Sequence, residues 1–477
     1  MHSTRRVTRV RRKPRRGENH KTSMTTSQSI TAASSRTAKV SRFSPKIAFL
    51  PWGDVIEDFL SGIGISIDDF VNKMSGGWLF GYIEALRLRG IQSTIFCFSE
   101  SVNETVYRTH KATGARIVLL PPSSIYRKIR RNIKNPYGLT TEEMFGPTRG
   151  VARYGWRVMR HITPYLATPV MPLADEIRKE GCSAIVCQEY ESPRFDACVA
   201  VGKLLGIPVY ATYQGGNWQQ RSRLERVIRP PTIRGCNGLI IGSSAEAARV
   251  QKCYGVPSGK ISKIFNPLDF SEWRIGSRQD ARRNLGISDV TRVAVWHGRV
   301  DIHTKGLDIL LEAWNIVCSS RPEQDLLLLL VGTGSDAENL AEMIRRMQVP
   351  HVRWHRDYIL DRAEMRQFLT AADVYVFPSR REGFPVAPLE AMGCGLPVVA
   401  SSAPGIIDIF DEGEKSGGIV VPVGDAIALA TSLGRLFDDD TVARALGVRA
   451  RLRIVQAFSL KNVGEQLKRC LSERGAI

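Results

Sequence analysis

The stretch FPSRREGFPVAPLEAMGCGLPVVAS, residues 377–401, carries most of the fold information in this chain. An apolar strand ends at Phe377 and Pro378, and the loop after it carries Glu382 and Gly383. Pro385 and Pro388 fit only in that loop or in a first helical turn, where backbone N–H groups have no intrahelical partner. A short helix is therefore predicted from about Ala387, with Glu390 in its first turns. Gly393 and Gly395 end it, and Pro397 opens the next strand. Such a strand–loop–helix unit aims free N–H groups and the positive end of a helix at one point, which suits a diphosphate. Glu390 can then accept two ribose hydroxyls, and Glu382, at the strand end, can hold a sugar. Two glutamates eight apart mean little alone, since a surface carboxylate plus a helix-capping Glu gives the same pattern.

Upstream, HGRVDIHTKG (297–306) follows the strand VAVW and sets Arg299 and Lys305 in a strand-end loop bounded by glycines. Two cations there can neutralise a leaving diphosphate without a metal; ordinary surface cations are the competing reading. SGG at 75–77 stands at a helix start, where Gly77 lets backbone approach a phosphate, although glycine also serves simple turns. No metal site is expected. The acidic string Asp438-Asp439-Asp440 follows a helical run rather than a strand, and the eight histidines include no helical H-x-x-x-H pair.

The strand–loop–helix unit repeats along the chain. KIAFLPW, STIFCFS, ARIVLLPP, AIVCQE and PVYATYQGG read as strands before residue 265, with helices such as GGWLFGYIEALRLRG and DACVAVGKLLG between them. After FNPLDFSEW (265–273) the pattern restarts with RVAVWHGRV, DLLLLLVGTG, VRWHRDY, VYVFPSR and PVVASS. Strands alternating with helices indicate parallel sheets covered on both faces. The α/β reading is two Rossmann-like domains facing a central cleft. The first spans 46–267, with a basic insertion at about 121–170. The second spans 268–458, and residues 459–477 form a terminal segment.

In the insertion, Ile125, Ile129 and Ile133 share one side of a basic stretch. Val151, Tyr154, Val158 and Ile162 alternate with Arg149, Arg153, Arg157 and Arg160 in another. A core face with a charged outer face is the commoner outcome of such a pattern; contact with an anionic membrane is the alternative.

The 477 residues are 43% hydrophobic and 24% charged, ordinary for a globular protein. The net charge of +20 is uneven: residues 1–45 hold twelve Lys and Arg against one acid, Glu18. This Ser/Thr-rich tail is expected to be disordered. It reads as an arm for an anionic membrane or nucleic acid, an organellar targeting peptide, or a solvated extension. No RNA-binding motif is visible, and no specific nucleic acid is expected. Nine cysteines with no C-x-x-C pair point to a reducing compartment. LLLLLV (326–331) is too short to span a bilayer, so a cytoplasmic protein, peripheral to the membrane at most, is expected.

Together these elements resemble glycosyltransferase family 4. Glu382 and Glu390 match its two glutamates separated by seven residues, and Arg299 and Lys305 match its Arg–Lys pair. GLIIGSSAEAARVQKCYGVPSGKISKIFNPLDFSEW, AADVYVFPSRREG and LPVVASSAPGIIDIF also match, in a likeness that covers roughly residues 46–473. The resemblance implies a GT-B fold and a retaining, metal-independent transferase. It implies a nucleotide-diphosphate sugar as co-substrate and a carbohydrate or lipid-linked acceptor. It also implies that a helix at about 459–473 crosses back to the first domain. Catalysis would rest on Glu382, Arg299 and Lys305, and donor binding on Glu390, Gly383, Phe384, Val386, Gly77 and Gln214, with base contacts from backbone near Asp357–Ile359. Two positions depart from the family. Pro385 stands where a glycine is usual, so the amides of Phe384 and Val386 must serve. Tyr213-Gln214-Gly215-Gly216 lacks the usual histidine, leaving Gln214 as an uncharged sugar contact. Other enzymes of the same fold, such as a sugar phosphorylase or a nucleotide-sugar epimerase, and a non-catalytic anion-binding protein are the rival functions.

Overall fold

The computed structural model describes residues 44–477 apart from 52, 137, 139, 148, 149, 216–222 and 474. The tail before residue 44, Arg149, Gly216 and the side chain of Val151 therefore lie outside the described residues.

Two sheets form the frame. The first holds β1 (Lys46–Leu50), β2 (Gln92–Phe98), β3 (Val106–Thr109), β4 (Arg116–Leu120), β5 (Ala184–Gln188), β6 (Val209–Thr212), β7 (Gly238–Ile240) and β8 (Ile261–Ser262), in the order β3-β4-β2-β1-β5-β6-β7-β8. The second holds β9 (Arg292–His297), β10 (Leu326–Val331), β11 (Val352–His355), β12 (Val374–Phe377), β13 (Val398–Ser401) and β14 (Gly418–Val421), in the order β11-β10-β9-β12-β13-β14. Every pairing in the second sheet is parallel.

The first sheet corrects the all-parallel expectation at one edge, where β3 runs antiparallel to β4. Only a short connection separates Thr109 from Arg116, and a parallel crossover needs a dozen or more residues. The edge strand VYRT is also half-buried to exposed, so its sequence lacks the continuous apolar run of an inner strand.

Inner strands are buried on both faces, and this is why they read as unbroken apolar runs. In β1, Ile47 and Phe49 enter one core while Ala48 and Leu50 enter the other. In β10, Leu327 and Leu329 face one way and Leu328 and Leu330 the other. None of the nine cysteines forms a disulfide. The helix Leu460–Ser472 lies against the first-domain helix Gly77–Arg87. The approach is so close that a Cβ on Gly464 would meet the Ala85 carbonyl oxygen at 2.4 Å.

The insertion folds as the helices Ser124–Arg130, Thr141–Phe145 and Gly150–Leu166. Ile133 is buried as a core-facing residue, but Ile125 is 57% exposed. Tyr154, Val158 and Ile162 are 73%, 40% and 37% exposed, so the stripe read as a core face looks outward. The opposite side fixes the rotation of that helix. There Trp156 packs on Phe145 with ring centroids 4.6 Å apart, and the Tyr165 hydroxyl donates to Asp196 at 2.8 Å.

Arg130 anchors the insertion to the helix Ile56–Gly62 by pairing with Asp58, and to the loop after β2 through Glu100 at 3.2 Å. Burial raises the Asp58 pKa to about 7 despite the pull of Arg130, and raises that of Asp54 to about 6 despite Arg194. The folded chain thus holds the Asp58 proton more tightly than the unfolded chain. Stability falls as pH rises from the ordinary value of 3.8 through about 7. Asp58→Asn, which keeps the shape and removes the ionisation, should gain Tm over wild type progressively between about pH 5 and about pH 8. A Tm difference that stays constant over that range would contradict the assignment.

Candidate active site

The site is built at the carboxyl ends of the strands of the second sheet. β9 runs through the centre of that sheet and ends on His297. Gly298 follows with φ +151°, and Gly332 after β10 has φ +126°. The two loops join backbone to backbone, with Gly298 N donating to Val331 O at 3.0 Å and Val300 N to Thr333 O at 2.9 Å. A Cβ on Gly332 would stand 2.1 Å from the Gly298 carbonyl oxygen, so no larger residue fits. Arg299 projects from this clamp with its side chain exposed.

Asp301 then caps the one-turn helix Ile302–Lys305 by accepting from Thr304 N at 2.9 Å. Gly306, at φ +64°, lets this turn pack against the Pro378 carbonyl. That contact brings Lys305 to the end of β12, where its Nζ lies 2.7 Å from Glu382 Oε1. The helix Ala387–Gly393 starts after Val386, with Pro388 in its first turn. It presents Glu390 to His297, and Nε2 and Oε2 are 2.8 Å apart. A carboxylate only accepts, so His297 Nε2 is the donor. His297 Nδ1 is buried and without a hydrogen-bond partner among the described residues.

A cavity of about 270 Å³ opens here. It brings together His297, Arg299, Glu390, Val386 and the backbone run from Asp357 to Leu360 in the second domain with Ser75 and Gly77 in the first. Gly77 begins the helix Gly77–Arg87 after Gly76, which has φ +77°. Tyr358 also lines the cavity. Its phenol is a neutral donor at neutral pH.

Glu382, Lys305, Gly383, Phe384 and Gln214 lie outside this lining and form a second cluster. A Cβ on Gly383 would fall 2.1 Å from Gly215 N, and one on Gly405 2.2 Å from the Gly383 carbonyl oxygen. The Glu382 loop is thus held between the backbones of both domains. The Phe384 ring is buried, stacked on Phe265 at 4.9 Å, and it closes off Gly242 of the first domain. It is a wedge between domains, and only its backbone is available to a ligand. Gln214 is engaged by protein: its N–H donates to Glu189 Oε1 at 2.7 Å, and its side chain exchanges two hydrogen bonds with Asn266, at 2.8 and 3.2 Å. Asn266 Nδ2 also donates to the Phe384 carbonyl at 2.9 Å.

Reading the sequence missed His297 and Asn266. His297 was absorbed as the end of an apolar strand, although a polar residue ending a central parallel strand faces the usual ligand crevice. Glu189 adopts φ +59°, a left-handed conformation that no local sequence signal announces.

Residues 291–439 match a protein-family model described as Glycosyl transferases group 1. A D-inositol 3-phosphate glycosyltransferase of Pseudarthrobacter chlorophenolicus is 28% identical over 237 residues, 49% of this chain and 56% of that protein. A GDP-mannose-dependent monoacylated alpha-(1-6)-phosphatidylinositol monomannoside mannosyltransferase of Corynebacterium glutamicum is 29% identical over 225 residues, 45% of this chain and 55% of that one. The chain spans about half the length of the curated relatives it matches. Among solved structures, sucrose-phosphate synthase from Thermosynechococcus elongatus superposes with a TM-score of 0.64 at 19% identity, over 90% of this chain and 98% of that one. Anabaena HepE in complex with UDP and glucose superposes with a TM-score of 0.61 at 15% identity, over 90% and 100%. At these identities the likeness is one of fold, and the fold is GT-B.

The paired amides of Gln214 and Asn266 should couple energetically. Gln214→Ala and Asn266→Ala measured singly and together by denaturant unfolding should deviate from additivity by about 0.5–3 kcal/mol. Additive effects would mean that the two amides do not act as a pair.

Proposed function

We propose that this chain, a GT-B protein whose second domain carries a glycosyl transferases group 1 domain, is a retaining glycosyltransferase. It moves a sugar from a nucleotide-diphosphate donor to an acceptor hydroxyl, without a metal. The observation that carries the reading is the single cavity in which Glu390, Arg299, the 357–360 backbone and the Gly77 helix start converge, beside the Lys305–Glu382 pair.

In this reading the nucleoside base lies against the backbone of Asp357–Leu360. The ribose hydroxyls donate to Glu390, whose carboxylate His297 orients through the 2.8 Å bond. The diphosphate sits between Arg299 and the amides at Gly77. Lys305 stands ready on the sugar side, its charge held there by Glu382 at 2.7 Å. As the glycosidic bond breaks, negative charge grows on the diphosphate, and fixed cations stabilise it more in the transition state than in the bound donor. Glu382 orients the sugar, and the acceptor oxygen attacks the face from which the diphosphate departs. The printed descriptions of similar proteins support a nucleotide-sugar donor: HepE is in complex with UDP and glucose, and the Corynebacterium glutamicum enzyme is GDP-mannose-dependent.

The acceptor is a carbohydrate or a lipid-linked glycan, met in the cytoplasm at an anionic membrane face. The outward stripe Tyr154, Val158 and Ile162 supports this, because exposed Arg153 and Arg157 stand beside it. Among the described residues no helix is long and apolar enough to cross a membrane, so the contact is peripheral.

Two tests follow from these assignments. Arg299→Ala and Lys305→Ala should each lower kcat by about 10²–10³, with wild-type turnover persisting in excess EDTA. Activity lost to EDTA and restored by Mg²⁺ would overturn the metal-free step, and sugar delivered to inorganic phosphate in place of an alcohol would mark a phosphorylase. Replacing Tyr154, Val158 and Ile162 together by Ser should weaken co-sedimentation with phosphatidylglycerol vesicles by about tenfold, or about 1.4 kcal/mol. Unchanged sedimentation would remove this helix from the membrane contact.

A further inference from the structure

We infer that Arg362 is a further cation for the donor's phosphates, reaching from the second domain across the cleft to the Gly76–Gly77 loop of the first. The inference rests on the donor site proposed above.

Arg362 is the first residue of the helix Arg362–Ala371. A cation there faces the positive end of the helix dipole, a placement that is unfavourable unless an anion compensates it. Asp361 caps the helix, accepting from Ala363 N at 2.8 Å, and Glu364 lies in the first turn, but among the described residues neither forms an ion pair with Arg362. The Arg362 guanidinium carries a buried Nε with no hydrogen-bond partner among the described residues. Arg282 shows what a satisfied guanidinium looks like in the same domain. It donates to the carbonyls of Ala371, Ser288 and Asp289 and to the Asp373 carboxylate.

The acid whose titration Arg362 biases is Glu84, across the cleft on the helix Gly77–Arg87. Burial raises the Glu84 pKa in spite of Arg362, and among the described residues no ion pair joins the two. An unpaired buried donor is costly to keep, and a donor of this kind in a cleft is a candidate ligand contact.

Its position says which ligand group it meets. Arg362 lines the same cavity as Arg299, Gly77 and Glu390. A Cβ placed on Gly76 would lie 3.7 Å from Arg362 Nη2 and 3.8 Å from Nε. An anion held at the amides that start the Gly77 helix is therefore flanked by Arg299 on one side and Arg362 on the other. Two helix starts and two guanidinium groups then converge on one negative group, and closure of the domains and binding of the diphosphate become one event.

The experiment uses the full chain and isothermal titration with UDP, GDP and ADP, followed by the nucleoside of whichever binds tightest. Arg362→Met should raise the Kd for that diphosphate roughly 10–100-fold and flatten its dependence on salt, while leaving nucleoside affinity unchanged. Arg362→Lys should fall between the two, because it keeps the charge and loses the fork. Wild type that binds none of the three diphosphates would refute the donor site itself. Wild type that binds one, with Arg362→Met binding it equally, would refute the role of Arg362 alone. Equal losses for diphosphate and nucleoside would place the contact on the base and overturn the phosphate assignment.

Discussion

The backbone contact of Gly215 with Gly383, backed by Gly405, is the constraint on which the rest of the site depends. A Cβ on either Gly383 or Gly405 would fall within about the length of two covalent bonds of a neighbouring backbone atom, 2.1 and 2.2 Å respectively. The loop that carries Glu382 is therefore gripped between a first-domain loop and a second-domain turn. Glycine is needed here for space as well as for conformation, since Gly215 and Gly405 have φ +104° and +86°. Asn266, bonded to both Gln214 and the Phe384 carbonyl, and the stacked wedge of Phe384 lock the same junction. Everything that Glu382 and Lys305 can do to a bound sugar is set by this grip.

Around that junction the charges are arranged in two layers. Lys305 with Glu382 and His297 with Glu390 are pairs at hydrogen-bonding distance, each held at the end of a parallel strand. Arg299 lies farther out, exposed at the mouth of the cavity. Paired groups in a partly buried setting hold their geometry without reorganising when charge develops, which is the arrangement that stabilises a leaving group. The outer cation suits capture of an anion from solvent.

Much of the frame was legible in the sequence because inner parallel strands are buried on both faces. LLLLLV and KIAFL therefore announce themselves by continuous apolar runs, and the glycines and prolines between 383 and 397 mark the loop and helix that follow β12. The edge strand β3 was not legible, because its half-exposed VYRT has no such run. Glu382, Arg299 and Lys305 were readable from their place after strand ends, and Glu390 from the helix that follows β12. Their partners were not: His297 and Glu390 are 93 residues apart, and Gln214 and Asn266 are 52 apart, and no local pattern encodes such pairings. The direction of the insertion's stripe was not legible for a related reason. Amphipathicity says that a helix has two faces, and only tertiary packing, here Trp156 on Phe145, decides which one points in.

The most direct test of the central claim is a crystal structure of the chain with a nucleoside diphosphate bound. The account predicts ribose hydroxyls on Glu390, the base against the backbone of Asp357–Leu360, and the diphosphate between Arg299 and the start of the Gly77 helix. A nucleotide seated elsewhere, with Glu390 still bonded only to His297, would contradict it.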